Sequence, residues 1–260
     1  ATNSGSTAAR VTYGSSTVYG GTSGTSAITN PSRSYIVSGF TTPSGNSANG
    51  ASVSSTASKT STYTFSGWYT SSSGGSQIIN ASKALVASTS YTNSSGQWTS
   101  TSTPTLYARW SGGSVTLPTI SKTGHVCGWT TTSSGATSYM YASGGSFTPT
   151  ANTTLYGVCY PQSFALQINF AGTGVSSVKV CKTSGNCSGS NLVDTATASG
   201  DRISPVYYGT SYYLYPTFTS GYELSSWANT GSYGTLSSTT ASNPYFTIGN
   251  GNGFVTITGL

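Results

Sequence analysis

The side chains that most often do chemistry in proteins are scarce in this sequence, and the carboxylates are the scarcest. Asp194, Asp201 and Glu223 are the only acidic residues among 260, so the first 193 positions contain none. Paired carboxylates carry much of general acid and base catalysis, glycoside hydrolysis and the binding of hard cations such as calcium. The sequence therefore predicts a protein that is not an enzyme and that needs no metal or cofactor. A hydrolase would have to use these three residues.

His125 is the only histidine, and it could act as a base beside Ser121 or Ser133. A catalytic triad also needs a third group that orients the imidazole, and this part of the chain has no carboxylate to do so. We therefore interpret His125 as a strand residue on a sheet surface.

The surface of the folded chain must be hydroxylic rather than ionic. Ser and Thr make up 97 of the 260 residues and charged residues only 5%, against about 25% in ordinary soluble proteins. The net charge of +6 comes from scarce acids, and the nine Lys and Arg are scattered, whereas a nucleic-acid-binding face needs them clustered. No apolar run approaches the roughly 18 residues of a membrane span. We predict neither a nucleic acid partner nor a transmembrane segment.

A phrase rich in aromatic residues occurs twice in the same order. Tyr63 to Trp68 is followed by Leu106 to Trp110, and His125 to Trp129 is followed by Leu155 to Cys159. Self-similarity of this kind is typical of modular arrays, and the period-two alternation within the phrases indicates strands. The sequence predicts a mainly β protein of small tandem modules, divided into a Ser/Thr/Gly-rich N-terminal segment (1–34), a first repeat (35–111), a shortened second repeat (112–161) and a divergent third β module (162–260).

Four cysteines in a chain that looks secreted favour two disulfides. Cys127 and Cys159 occupy the positions that Ser66 and Trp110 hold in the first copy. These positions belong to two strands of one module, so a bond between Cys127 and Cys159 is the favoured one of the three connectivities.

The other two cysteines, Cys181 and Cys187, fit a disulfide-closed hairpin tip. The spacing alone is also a weak zinc signal, but no second cysteine pair and no nearby histidine complete four ligands. We therefore predict a disulfide here.

Two segments near the ends of the sequence suit pairing between copies of the chain. Val11 and Tyr13 are followed by Val18 and Tyr19 across Gly14 to Ser16, which is typical of a short strand pair, although a disordered leader fits equally well. At the other end, a strand is predicted that contains Phe254, Val255 and Ile257. Within the first repeat, Asn80 to Ala87 is compatible with a short helix.

Five tyrosines occur within nine residues: Tyr207, Tyr208, Tyr212, Tyr213 and Tyr215. Alternation along a strand sends Tyr212 to one face of the sheet and Tyr213 to the other. One interpretation is a core on one side and exposed rings on the other. The alternative is a platform for a sugar or a subunit contact, because tyrosine combines an apolar body with a polar tip.

The first copy resembles the Listeria-Bacteroides repeat, also called the internalin B-repeat. The resemblance is close at Tyr63 to Thr70, Gly74 to Gly75 and Thr105 to Trp110, and weaker over residues 114–159, where His125, Cys127 and Cys159 depart from the pattern. The third module resembles a divergent form. The resemblance implies a β-grasp-like or sandwich-like module of secreted bacterial surface proteins, and it supplies no catalytic residues.

These observations predict a structural protein at the bacterial cell surface. The first hypothesis is the repeating subunit of a filament or pilus-like appendage, whose partners are copies of itself. The alternative is a monomeric stalk or adhesin that binds glycans or a host surface protein through the tyrosines. Sugar could protect the uncharged surface, with O-linked sites favoured over the four sequons at Asn80, Asn93, Asn152 and Asn186.

Overall fold

The computed structural model describes residues 8–260 and the backbone of residues 2–4. Across these residues the chain forms 23 strands and two short 3-10 turns. The strands are β1 Thr2–Ser4, β2 Ala9–Arg10, β3 Tyr19–Gly20, β4 Ser32–Thr41, β5 Ser52–Val53, β6 Lys59–Tyr69, β7 Gln77–Asn80, β8 Tyr107–Gly112, β9 Val115–Thr116, β10 Ile120–Ser121, β11 His125–Thr130, β12 Tyr141–Ala142, β13 Ser146–Phe147, β14 Thr153–Pro161, β15 Ser163–Gly172, β16 Val175–Cys181, β17 Leu192–Ala196, β18 Asp201–Tyr207, β19 Ser211–Phe218, β20 Leu224–Asn229, β21 Gly234–Leu236, β22 Tyr245–Ile248 and β23 Gly253–Gly259. The prediction of a mainly β protein that contains disulfides is confirmed.

The chain divides into two compact units that do not follow the predicted segments one for one. The first unit comprises Ala1–Gly45, Val53–Ile120 and Gly128–Gly157, and the second comprises Asn46–Ser52, Ser121–Cys127 and Val158–Leu260. Most of the two predicted repeats, 35–111 and 112–161, thus lies within one compact unit instead of forming two separate ones.

The first unit is built on a sheet whose strands follow the order β12-β11-β14-β4-β6-β7. In addition, β1 pairs with β4 and β8 pairs with β6. The two strands of the repeated phrase in the first copy, β6 and β8, are antiparallel neighbours in which Phe65 lies opposite Trp110. A core cluster of this unit contains Ile78, Ile79 and Trp98 together with Val18 and Ile28.

The second unit is a sandwich of two sheets. A four-stranded sheet has the order β18-β15-β23-β20, and a five-stranded sheet has the order β17-β16-β19-β22-β21. Alternate side chains of both sheets meet in one core, in which Trp227, Phe246 and Leu214 are essentially fully buried. In β23 the buried Val255 and Ile257 alternate with less buried threonines, as expected for a strand between two faces.

The predicted short helix at Asn80 to Ala87 is wrong, since this segment turns back on β7 instead. The side-chain oxygen of Asn80 accepts the backbone N–H of Ala84 at 3.0 Å, and Ile79 forms an isolated bridge with Leu85. Asparagine favours such local turns because its side chain mimics a backbone carbonyl. The turn brings the segment back to pair with the edge of β7 at Leu85, and a helix could not make this pairing.

The N-terminal strand pair exists, but of the predicted residues only Tyr19 lies in it. Ala9 pairs with Gly20 and Arg10 with Tyr19, so Val11, Tyr13 and Val18 lie outside the strands. The backbone N–H of Gly14 bonds instead to the carbonyl oxygen of Trp98 at 2.8 Å, which opens the expected hairpin through a non-local contact. Val18 enters the core, whereas Tyr13 is 66% exposed.

The C-terminal strand occupies an interior position that its sequence alone does not reveal. We expected Phe254, Val255 and Ile257 to lie on a strand available for pairing between copies. In the structure β23 runs parallel to β15 on one side and antiparallel to β20 on the other. Both of its edges are therefore satisfied within the chain, which corrects the expectation of an open terminal strand.

Candidate functional site

Two of the three acidic residues, Asp201 and Asp194, accept hydrogen bonds from nearby backbone N–H groups. The carboxylate of Asp201 accepts the backbone N–H groups of Thr197 and Ala198 at 2.8 and 2.9 Å. These two hydrogen bonds hold the pKa of Asp201 below its ordinary value. Asp194 accepts the adjacent backbone N–H of Thr195 at 2.8 Å. Over residues 8–260, no group of three or more His, Cys, Asp and Glu lies close enough to hold a metal ion.

His125 lies in β11 and makes two local contacts. Its Nδ1 is 2.8 Å from the carbonyl oxygen of Thr123, and its ring meets the ring of Tyr208 edge to face with centroids 5.7 Å apart. Tyr208 in turn covers Gly124, where a β-carbon would lie 2.1 Å from the tyrosine ring. These contacts give the histidine a packing role against Tyr208 within the second unit, to which residues Ser121–Cys127 belong.

Both pairs of cysteines are disulfide-bonded. Cys127 in β11 is bonded to Cys159 in β14, which is the pairing that the repeat favours. Cys181 at the end of β16 is bonded to Cys187 and closes the tip of the β16–β17 hairpin. Neither sulfur pair is therefore available as a nucleophile or as a metal ligand.

The tyrosine segment divides between the two faces of the five-stranded sheet, as alternation predicts. Tyr212 is buried in the core, and its hydroxyl accepts the backbone N–H of Tyr207 at 3.0 Å. Tyr213 lies on the outer face, where its ring is 5.6 Å from the ring of Tyr245 on β22. Tyr215 shares this face, and its hydroxyl accepts the backbone N–H of Gly185 at 2.7 Å.

The outer face thus brings together tyrosines that lie far apart in the sequence. Tyr213, Tyr215 and Tyr245 form a row that we call the tyrosine face. Tyr207, which is exposed on β18, and Tyr208, which packs on Gly124, lie elsewhere in the unit. The predicted five-residue contact therefore separates into a smaller surface joined by Tyr245, which the sequence interpretation missed.

A second candidate site is a cavity of about 480 Å³ in the first unit. Its apolar wall includes Trp68, Trp98 and Ile79, and Arg10 also lines it. Ser102, Thr103 and Thr105, which carry hydroxyl groups, line the same cavity. Its volume is in the range of pockets that hold small ligands, and such pockets are mostly apolar with a few placed polar groups.

Two residues that line this cavity each have a donor without a hydrogen-bond partner among the described residues. They are Nε of Arg10 and Nε1 of Trp68, which are buried and do not face the open space, and the same holds for Nε of Arg33 and Nε1 of Trp110 away from the cavity. Leaving a buried donor unpaired costs about 1–3 kcal/mol, so such groups are rare in folded proteins. Sequence reasoning missed this site because Arg10, Trp68 and Trp98 are brought together by non-local contacts.

A third feature is the outer side of β8, the strand Tyr107–Gly112. The strand pairs with β6 along one side, and within the described part of the chain no backbone hydrogen bond reaches it from elsewhere. Its one charged residue, Arg109, is folded back with its guanidinium 4.1 Å from the Tyr69 ring centroid. Arg109 also donates to the carbonyl oxygen of Ser71 at 2.7 and 3.1 Å.

No family model, curated protein or solved structure matches this chain. Among the described residues, no helix is long and apolar enough to cross a membrane.

Proposed function

We propose that this chain is a structural extracellular protein of the bacterial surface, the repeating subunit of a filament or pilus-like appendage. The observation that carries the proposal is that, in the described part of the chain, only β6 pairs with β8. A strand with one unpaired side offers a row of backbone donors and acceptors to another chain. Strand addition to such an edge is a common mode of protein association.

Within residues 8–260, the edge of β8 lacks the protection that soluble proteins usually give to their edge strands. Charged side chains, proline or a covering segment normally prevent pairing between molecules. Here Tyr107 and Ser111 are exposed and uncharged, and the charge of Arg109 is directed towards Tyr69 and Ser71. With only 5% charged residues in the chain, little electrostatic repulsion opposes contact between copies.

The tandem-repeat interpretation is part of this proposal. In the first copy the two strands of the repeated phrase, β6 and β8, are neighbours in the sheet. In the second copy the corresponding strands, β11 and β14, are also neighbours. The disulfide between Cys127 and Cys159 joins these strands at the positions equivalent to Ser66 and Trp110. This equivalent placement of the two strand pairs supports descent of both copies from one internalin-type repeat.

The same chemistry supports an extracellular location. Disulfides persist in oxidising compartments, and both cysteine pairs are bonded. A hydroxyl-rich surface suits O-linked sugar, which would keep assembled subunits hydrated despite their few charges.

The test is negative-stain electron microscopy of the native material and of the purified full chain, combined with size-exclusion chromatography. The informative variant is Tyr107→Lys with Ser111→Lys, because lysine on an edge strand opposes pairing. The matched control is Thr62→Lys with Thr64→Lys, which adds the same charge to exposed positions of the interior strand β6.

We expect filaments with an axial repeat from the unmodified chain and from the control. The edge variant should remain monomeric with an unchanged circular dichroism spectrum. Monomers in native material, or filaments from the edge variant as abundant as those from the control, would contradict assembly through β8.

A monomeric adhesin is the second candidate function, and the tyrosine face is the observation that favours it. The rings of Tyr213 and Tyr245 lie side by side on an outer sheet surface, and tyrosine-rich surfaces are typical of binding interfaces. Replacement of both with serine would abolish binding to a glycan array if this face is the adhesive site. It would leave the filaments of the first hypothesis intact.

A further inference from the structure

The cavity of the first unit has a composition that a purely structural role does not require. Trp68 and Trp98 both line this cavity, which is partly open to solvent. A cavity that existed only through imperfect packing would be lined by apolar groups. This one is also lined by the cation Arg10 and by Ser102, Thr103 and Thr105.

The guanidinium of Arg10 is held in place at the cavity by two contacts. Its carbon lies 4.8 Å from the centroid of the Tyr19 ring, and its Nη2 donates to the carbonyl oxygen of Gly24. The backbone of Arg10 is fixed as well, because it pairs with Tyr19 between β2 and β3. A cation that is held in this way is preorganised for a ligand.

The charge of Arg10 has no counter-ion within its own unit. The three carboxylates of the chain, Asp194, Asp201 and Glu223, all belong to the second compact unit. An anionic group that enters the cavity therefore meets no negative side chain of the first unit. Arginine is well suited to such a partner because its planar fork of donors matches a carboxylate.

The remaining groups of the cavity distinguish between classes of anion. Ser102, Thr103 and Thr105 supply hydroxyl groups, which both donate and accept hydrogen bonds. The indole rings supply apolar faces, and each also carries a polar N–H group. A fatty acid would make no hydrogen bonds to these hydroxyls through its chain, whereas a nucleic acid would require several clustered cations. A sugar ring that carries a carboxylate satisfies all three kinds of group.

We propose that this cavity binds an acidic sugar, namely a uronic acid residue of a polysaccharide. Its carboxylate lies against Arg10, its ring packs on the indoles, and its hydroxyls bond to the Ser and Thr side chains. The site lies wholly within the first unit and does not involve β8 or the tyrosine face. Binding at this site is therefore independent of filament assembly, and either proposal can fail without the other.

The test uses ¹H–¹⁵N spectra of the full chain with D-glucuronic acid as the probe and D-glucose as its neutral counterpart. The five tryptophans give five indole signals, and the cavity contains only Trp68 and Trp98. We expect glucuronic acid to shift these two signals and leave Trp227 unmoved. Glucose should bind at least about ten-fold more weakly, as the loss of a charge-assisted hydrogen bond implies.

Two variants and one matched control complete the test. Arg10→Gln should weaken glucuronic acid binding by about ten-fold or more, because it removes the cation and leaves a neutral polar side chain. Thr103→Tyr should block binding by filling the cavity, with Arg10 unchanged. Arg33→Gln is the control, since Arg33 also stacks on a ring of the first unit but does not line the cavity.

The proposal is overturned if glucuronic acid shifts neither Trp68 nor Trp98 in the unmodified chain. Equal affinity for glucose, or equal losses in Arg10→Gln and Arg33→Gln, would also overturn it. Folding of each variant is checked by the retained indole signal of the buried Trp227. If Arg10→Gln fails this check, Thr103→Tyr decides the question.

Discussion

The guanidinium carbon of Arg33 lies 3.7 Å from the centroid of the Trp110 ring. The same arrangement recurs for Arg109 over Tyr69 and for Arg10 over Tyr19. These are the three arginines of the first unit, which has no carboxylate in its sequence. Aromatic faces thus take the place that acidic side chains occupy in ordinary proteins, because the ring quadrupole attracts a cation.

Arg33→Lys should destabilise the protein even though the charge is kept. The planar guanidinium stacks on Trp110, whereas an ammonium is compact and strongly hydrated. We expect a loss of about 1 kcal/mol in the free energy of unfolding, measured by urea denaturation. Arg202→Lys on the exposed surface of β18 is the control. Equal losses in both variants would contradict a specific role of the stack.

Gly124→Ala should be destabilising for two separable reasons. Gly124 has a φ of +66°, which side chains rarely adopt, and an added β-carbon would lie 2.1 Å from the Tyr208 ring. We expect a loss of about 1–3 kcal/mol by thermal or urea unfolding. In a Tyr208→Ala background the same substitution should cost less, since only the backbone strain remains. An unchanged cost in that background would show that the ring is not the obstacle.

The two disulfides should contribute unequally to stability. Cys127 and Cys159 are 32 residues apart, whereas Cys181 and Cys187 are 6 apart. Because a longer closed loop removes more entropy from the unfolded chain, replacing the first pair with alanine should cost about 4 kcal/mol and the second about 2. Denaturant unfolding of the two double variants measures both values. The opposite order would contradict loop closure as the main effect.

Asp201 should make the protein sensitive to acid. The pKa of Asp201 is lowered because the N–H groups of Thr197 and Ala198 donate to its carboxylate. A lowered folded-state pKa adds stability above the ordinary value of 3.8, and this stability is lost as the pH falls through the folded-state pKa. Unfolding curves from pH 6 downwards should show this loss, and Asp201→Asn should reduce it. Asp194→Asn controls for the removal of one carboxylate elsewhere.

Tyr212 should have the opposite effect at high pH. Burial raises the pKa of Tyr212 above its ordinary value of 10.0, although the N–H of Tyr207 donates to the hydroxyl. The stability contributed by the neutral hydroxyl is therefore present below pH 10 and is lost as the pH rises through the folded-state pKa. Tyr212→Phe should lower stability by about 1 kcal/mol at neutral pH and weaken this alkaline loss. Tyr213→Phe, on the outer face, should do neither.

Local patterns predicted those features that depend on neighbouring residues in the sequence. The alternation in Tyr212 and Tyr213 placed them on opposite faces of β19, because successive side chains of a strand point in opposite directions. The equivalence of Cys127 and Cys159 with positions of the first copy gave their pairing. By contrast, the segment after Asn80 looked helical from its composition but became a turn, because β7 offered it an edge.

The sequence by itself determined the mainly β class, the two disulfides and the near absence of acidic chemistry, since all three follow from residue types and their spacing. Only the tertiary structure decided that β23 lies between β15 and β20, that among the described residues β8 pairs with β6 alone, and that Arg10 and Trp68 line one cavity. Strand order and cavity walls depend on contacts between distant parts of the chain. Such contacts are stabilised by packing between residues that are distant in the sequence, and no local sequence pattern reveals that packing.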